Sequence, residues 1–201
     1  MLMLIAACFL AALAAPWLHR WCPKYTGALI LAAPLAVFVW LLKHLSGVAH
    51  GHPVAQSIPW VKGLGLELAF RLDGLSMLFA LLISGIGMLI LLYAQGYFKG
   101  DPQQGRFLMY ITAFMASMLG VVLADHLLLL FIFWELTSFT SYLLIGYNHE
   151  NAAARTAALQ ALLVTVLGGL FLLGGIILMA QGGRHLDAVR NHAARRPPAG
   201  A

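Results

Sequence analysis

The sequence predicts an all-α integral membrane protein of about six transmembrane helices, with a small surface β-hairpin between helices 2 and 3. Three observations carry this. Of 201 residues, 62% are apolar and 9% are Asp, Glu, Lys or Arg, where a soluble domain has roughly a quarter charged. The apolar residues fall into six blocks, each near the roughly 20 residues that a helix needs to cross hydrocarbon. Between the second and third blocks, Leu64, Leu66, Leu68, Phe70 and Leu72 alternate with Gly65, Glu67, Ala69 and Arg71, the period of a half-buried strand. The composition excludes a cytosolic enzyme, a secreted disulfide scaffold and a disordered chain.

The first block, 2–18, contains Ala12-Leu13-Ala14 in the manner of a signal-peptide cleavage site. No Lys or Arg precedes it, and a secretory leader needs a positive start, so a membrane helix is expected. The second block, 27–42, holds Pro34, which membrane helices tolerate where neighbours satisfy the freed carbonyl. Both are short for a full crossing and are expected to run into the interface. Residues 46–73 form an external loop: His50-Gly51-His52-Pro53 and Ile58-Pro59 punctuate it, Ile58–Val61 supplies the first strand, and Lys62-Gly63 turns the hairpin. Four more spans are expected at about 74–98, 107–124, 127–147 and 156–180. The domains are therefore 1–45 with two helices, 46–73, 74–181 with four helices, and 182–201 as a disordered or non-native tail, basic and proline-containing.

Lys and Arg in short loops set orientation. With the N-terminus outside, the inner loops carry Arg20, Lys24, Lys99, Arg106 and Arg155, and the outer segments Lys43, Lys62 and Arg71. Arg184, Arg190, Arg195 and Arg196 would reverse that balance, so the tail is read as no natural continuation of the sixth helix. The net charge of +5 forms no cluster with aromatics, and nucleic acid is excluded as a partner. Cys8 and Cys22 make no ligand pair and read as packing residues in or beside the first helix. His44, His50 and His52 have no carboxylate or cysteine placed to complete a metal site, and no cofactor motif is present.

Apart from boundary residues, the spans contain one charged side chain, Glu135, eight residues into the run Leu-Leu-Leu-Leu-Phe-Ile-Phe-Trp-Glu. A carboxylate near mid-membrane costs roughly 2.5–3.5 kcal/mol on insertion scales, and such residues are functional by default. Ser138 and Tyr142 follow at i+3 and i+7 and share its face, which makes a stripe able to pass a proton. The alternative for these hydroxyls is bonding to their own or an adjacent helix. Asp125-His126, at the junction of the fourth and fifth spans, reads equally as a proton entrance or as a helix-boundary pair. Ala113, Ala116, Ser117 and Gly120, with Thr165, Gly168 and Gly169, read as close helix packing.

Four segments in order, Phe70-Arg71-Leu72-Asp73-Gly74-Leu75-Ser76, Met118-Leu119-Gly120-Val121-Val122-Leu123-Ala124-Asp125, Phe133-Trp134-Glu135-Leu136-Thr137-Ser138 and Tyr142-Leu143-Leu144-Ile145-Gly146-Tyr147, resemble the N-terminal part of the antiporter-like subunits. That family holds the large A-type component of Mrp-type multisubunit sodium/proton antiporters and the proton-pumping subunits of respiratory complex I. The wording Trp-Glu-Leu-Thr-Ser resembles the Mrp type more. The resemblance covers residues 1–181 and implies a larger fold with two inverted five-helix repeats, each pairing a glutamate with a lysine two helices later. It makes Glu135 the first repeat's glutamate. It also implies a multi-pass cell-membrane protein working with other antiporter subunits, protons, Na⁺ or another monovalent cation, and the bilayer. The chain stops before the helix that should bear the lysine, and the text after Gln181 leaves the family pattern, so an N-terminal fragment is expected. Catalysis of a covalent step is not expected. The rival readings are a proton-pumping component of a complex I-like quinone oxidoreductase or membrane hydrogenase, and a transport-inactive scaffold or truncated product.

Overall fold

The computed structural model describes residues 1–61, 66–98 and 100–194, and leaves aside the side chains at 23, 24, 61, 66 and 183–194. Among the described residues the order is α1 (Leu2–Trp21), α2 (Pro23–Ala49), β1 (Val54–Val61), β2 (Leu66–Leu72), α3 (Gly74–Tyr97), α4 (Gln104–Leu123), α5 (Leu127–Ile145) and α6 (Ala152–Ala194). All six helices are long and apolar enough to cross a membrane. The expected architecture is therefore observed, six helices with one antiparallel hairpin between the second and third. The turn expected at Lys62-Gly63, Lys99, and the stretch 195–201 with Arg195 and Arg196 lie outside the described residues.

Three boundaries differ from the sequence reading. α2 extends from Pro23 to Ala49 with Pro34 inside it, because Pro23 suits a first helical position, where no N–H is needed, and no proline interrupts Lys43–Ala49. β1 begins at Val54, four residues before the Ile58–Val61 segment expected as the first strand, and the register shifts between Pro59 and Val61. A two-stranded ribbon has two edges, so a proline without a donor fits at its bulge. α6 runs on to Ala194, past the span expected to end near 180 and into the 182–201 stretch read as a disordered or non-native tail.

The core lies around α4, which packs on α1, α3 and α5. Leu119 and Ala116 of α4, Cys8 of α1 and Ala80 of α3 are all fully buried there. Cys22, by contrast, is exposed at the α1–α2 junction, so the packing role expected of both cysteines holds for Cys8 alone. Gly120 gives α5 its close approach: a Cβ there would enter the Phe133 ring, and that ring also meets Phe70 of β2 at 6.1 Å between centroids.

The hairpin closes one end of the bundle. Phe70 bridges to Ala124, the Asp125 backbone N–H donates to the Ala69 carbonyl at 2.9 Å, and the Met1 amine donates to Gln56 Oε1 at 2.8 Å. Asp73 then starts α3 with a reciprocal cap: it accepts from the Ser76 backbone N–H at 3.0 Å, while its own N–H donates to Ser76 Oγ at 2.7 Å. The opposite end gathers the α3–α4 and α5–α6 connections, where Phe98 and Phe107 meet at a tilt and Tyr147 meets both edge-on, with centroids 4.3–5.5 Å apart.

Candidate functional site

The apolar run Leu127–Trp134, followed by a stretch with no glycine or proline up to Ile145, makes α5 a single helix, which holds Glu135, Ser138 and Tyr142 on one stripe. From the start of α5 to Glu135 is about 12 Å at 1.5 Å per residue, which is deep in a crossing of this length. Glu135 is half-buried, and its Oε1 is buried with no hydrogen-bond partner. That oxygen lies against Gly169 of α6, at the place where any side chain on residue 169 would begin. Leaving a polar group buried without a partner costs about 1–3 kcal/mol, so the arrangement is expensive for a packing contact. Among the described residues Glu135 has no ion pair; the one salt bridge is Arg71–Asp73 at 3.9 Å beside the hairpin.

The hydroxyls near it are spoken for locally. Ser138 is buried and donates to the Trp134 carbonyl at 3.3 Å, and Thr140 donates to the Leu136 carbonyl at 2.8 Å. Bonding to the own helix, one of the two readings of these side chains, is thus what Ser138 and Thr140 do as donors. Each oxygen still has acceptor capacity.

Tyr142 occupies a different setting. It lines a cavity of about 190 Å³ with Arg106 and Tyr110 of α4, His149 of the loop, and Arg155 and Ala158 of α6. Arg106 reaches across this end: its Nη2 donates to the Tyr147 carbonyl at 2.8 Å and lies 3.2 Å from His149 Nδ1, while its Nε is buried with no partner. Arg155 donates to the His149 carbonyl at 2.7 Å. Tyr147 sits beneath Arg106 at 5.2 Å. Burial, and secondarily Asp101 with its carboxylate 3.4 Å from the hydroxyl, push the Tyr147 phenol above its ordinary range. The cavity carries two arginines, two tyrosines and a histidine at the α4–α5–α6 junction, and its Tyr142 lies about two helical turns along α5 from Glu135.

Asp125 and His126 stand at the other end of α5. His126 Nδ1 accepts from the Leu128 backbone N–H at 3.2 Å and so caps the helix, while Asp125 is exposed and its backbone is tied to the hairpin. The structure therefore brings Glu135, Ser138 and Tyr142 into one line and places Asp125 and His126 away from it. No group of three or more His, Cys, Asp or Glu able to hold a metal occurs among the described residues. Sequence reasoning missed the cavity, because Arg106 and Arg155 were weighed as topology charges, and it treated Gly169 as packing. The adjacent glycines 168 and 169 were the available signal.

Two family models match this chain. That of the N-terminus of chain 5 of NADH-ubiquinone oxidoreductase, complex I, covers residues 58–108. That of the NADH:quinone oxidoreductase/Mrp antiporter transmembrane region covers residues 124–192, and so extends past Gln181, where the resemblance was expected to stop. The A1 subunit of a Na⁺/H⁺ antiporter of Staphylococcus haemolyticus is 44% identical over 177 residues, 88% of this chain and 22% of the relative. The corresponding protein of Staphylococcus aureus is 44% identical over 170 residues, 84% of this chain and 21% of the relative. The chain thus spans about a fifth of the length of these relatives. Among solved structures, the Mrp complex from Dietzia sp. DQ12-45-1b aligns with TM-score 0.72 and 32% identity, covering 86% of this chain and 18% of that one. An archaeal membrane-bound sulfane sulfur reductase aligns with TM-score 0.73 at 20% identity, over 86% of this chain and 35% of that one, a likeness of fold. With six spanning helices, the hairpin and both family models matched in order, this multi-pass membrane chain belongs to the antiporter-like subunit family shared by Mrp-type antiporters and complex I.

Proposed function

We propose that the chain contributes a proton-exchanging carboxylate, Glu135, to a multisubunit monovalent cation/proton antiporter that couples protons to Na⁺ or a related cation. The observation that carries this is a half-buried carboxyl within an apolar span, one oxygen of which is enclosed without a hydrogen-bond partner. An intramembrane ionisable group is retained against its insertion cost when a proton or ion route uses it. The cavity around Tyr142 supplies a polar mouth at one end of the stripe, and Ser138 stands between it and Glu135. The positive-inside balance of Arg20, Arg106 and Arg155 favours the cytoplasmic side for that mouth. His126 is engaged as a cap, which favours the helix-boundary reading of Asp125-His126. Other antiporter subunits are the partners in this reading, as in the Mrp complex of Dietzia.

Glu135→Gln in the assembled antiporter keeps shape and hydrogen bonding but cannot change charge. It is expected to abolish cation-dependent proton flux in vesicles while leaving assembly intact, and Glu135→Asp to do less harm. Wild-type flux across the pH range in the Gln variant would make Glu135 a packing residue. Both family models also describe quinone oxidoreductase subunits, so a proton-pumping role is the second reading; flux that needs no Na⁺ or other monovalent cation would select it.

A further inference from the structure

We infer that Gly169 is a positioning residue for Glu135: the absence of a side chain at 169 creates the niche in which the carboxyl sits, and this niche fixes where the proton is held. Gly169 is buried on α6. A Cβ built there falls onto Glu135 Oε1 and stands 3.0 Å from its carboxyl carbon, so an alanine and the carboxyl cannot both occupy the present geometry. The contact is specific to one of two adjacent glycines. A Cβ on Gly168 meets nothing within 4 Å, and Gly168 is exposed. Helix propensity therefore cannot explain a difference between the two, because replacing either glycine by alanine favours the helix equally. Close packing of α5 on α6 does not explain the contact either: what reaches residue 169 is the carboxyl end of Glu135, with an oxygen that has no hydrogen-bond partner.

The flexible end of a glutamate can swing away, so Gly169→Ala should fold, yet with the Glu135 carboxyl moved. Misplacing a reacting group by about 1 Å can cost 10²-fold in rate. The inference deepens the proposed role of Glu135 and rests on it for the transport arm, while a spectroscopic arm stands without it. The carboxyl stretch of Glu135, isolated as the infrared difference from Glu135→Gln in the membrane-embedded chain, should shift in Gly169→Ala and stay in place in Gly168→Ala. In the assembled antiporter, Gly169→Ala should lower flux by about 10- to 100-fold and Gly168→Ala by no more than about twofold. An aspartate in place of Glu135 is one methylene shorter and would not reach the niche, so Glu135→Asp with Gly169→Ala should transport no worse than Glu135→Asp alone. An unchanged infrared band in Gly169→Ala overturns the inference, and so does a double variant whose losses simply multiply. If Glu135→Gln transports normally, the proposed function fails, and the infrared comparison still decides whether Gly169 positions the carboxyl.

Discussion

α4 and α6 have the same raw material and opposite fates. Both are apolar helices long enough to span a membrane. α4 is inserted among α1, α3 and α5, with Leu108, Thr112, Ala116, Ser117 and Leu119 all buried. α6 packs on α5 and little else; Leu163, Val164, Leu167, Leu170 and Phe171 are exposed, and its buried positions are Ala158, Gly169 and Ile176. Capping does not explain the difference, since the open helix α6 is the one with a side-chain cap, Asn151 Oδ1 accepting from the Ala153 N–H at 2.9 Å, and Gln103 makes no such bond at the start of α4. The lesson is in where the buried positions fall. On α4 they form a broad stripe of structural contacts. On α6 they trace a narrow seam along α5, and the middle of that seam is taken by the carboxyl of Glu135.

The comparison can be broken by substitutions on each side of it, read as reversible unfolding in detergent. The largest effect is expected at Leu119, which is fully buried: Leu119→Ala should cost about 2–5 kcal/mol through lost contacts and the cavity left behind. A cost under about 1 kcal/mol would mean that α4 is not the centre of the body. Asp73→Ala should cost about 0.5–2 kcal/mol by removing the α3 cap, less where solvent screens the group, which is about half exposed. The Ser76 backbone N–H and hydroxyl, and to a smaller degree Arg71, hold the Asp73 carboxyl below its usual range. A depressed native pKa gives stability that is present above the unfolded value, near 3.9, and lost as pH falls through the native one. The difference between wild type and Asp73→Ala should therefore shrink in acid below about pH 4, and a difference that grew there would refute the cap. The smallest effect is expected on α6, where Leu167→Ala should stay within about 0.5 kcal/mol. A large loss would show that this face is packed rather than open.

Comparison of these helices also shows how far the residues speak for themselves. The six spans, the hairpin and Glu135 were all legible, because each depends on local chemistry: runs of apolar residues, a period of two, and a carboxylate where none is cheap. Boundaries were less so. α6 continues to Ala194 because nothing in Arg184–Ala194 forbids a helix, although its polarity suggested an end. The first strand was legible at Ile58–Val61, but only pairing with β2, Val54 opposite Leu72, extends it back to Val54.

By itself, then, the sequence determined a helical membrane protein with one ionisable side chain deep in its spans, and the family to which that pattern belongs. Tertiary structure alone decided which helix would be enclosed and which left open, since α4 and α6 read alike until their neighbours are known. It decided that Arg106 and Arg155 meet Tyr142 across a cavity, although 49 residues separate the two arginines in the chain. It also decided between two consecutive glycines. Gly168 and Gly169 are identical as text, but consecutive helical residues point about 100° apart, and only the packing of α6 on α5 turns one toward Glu135 and the other away.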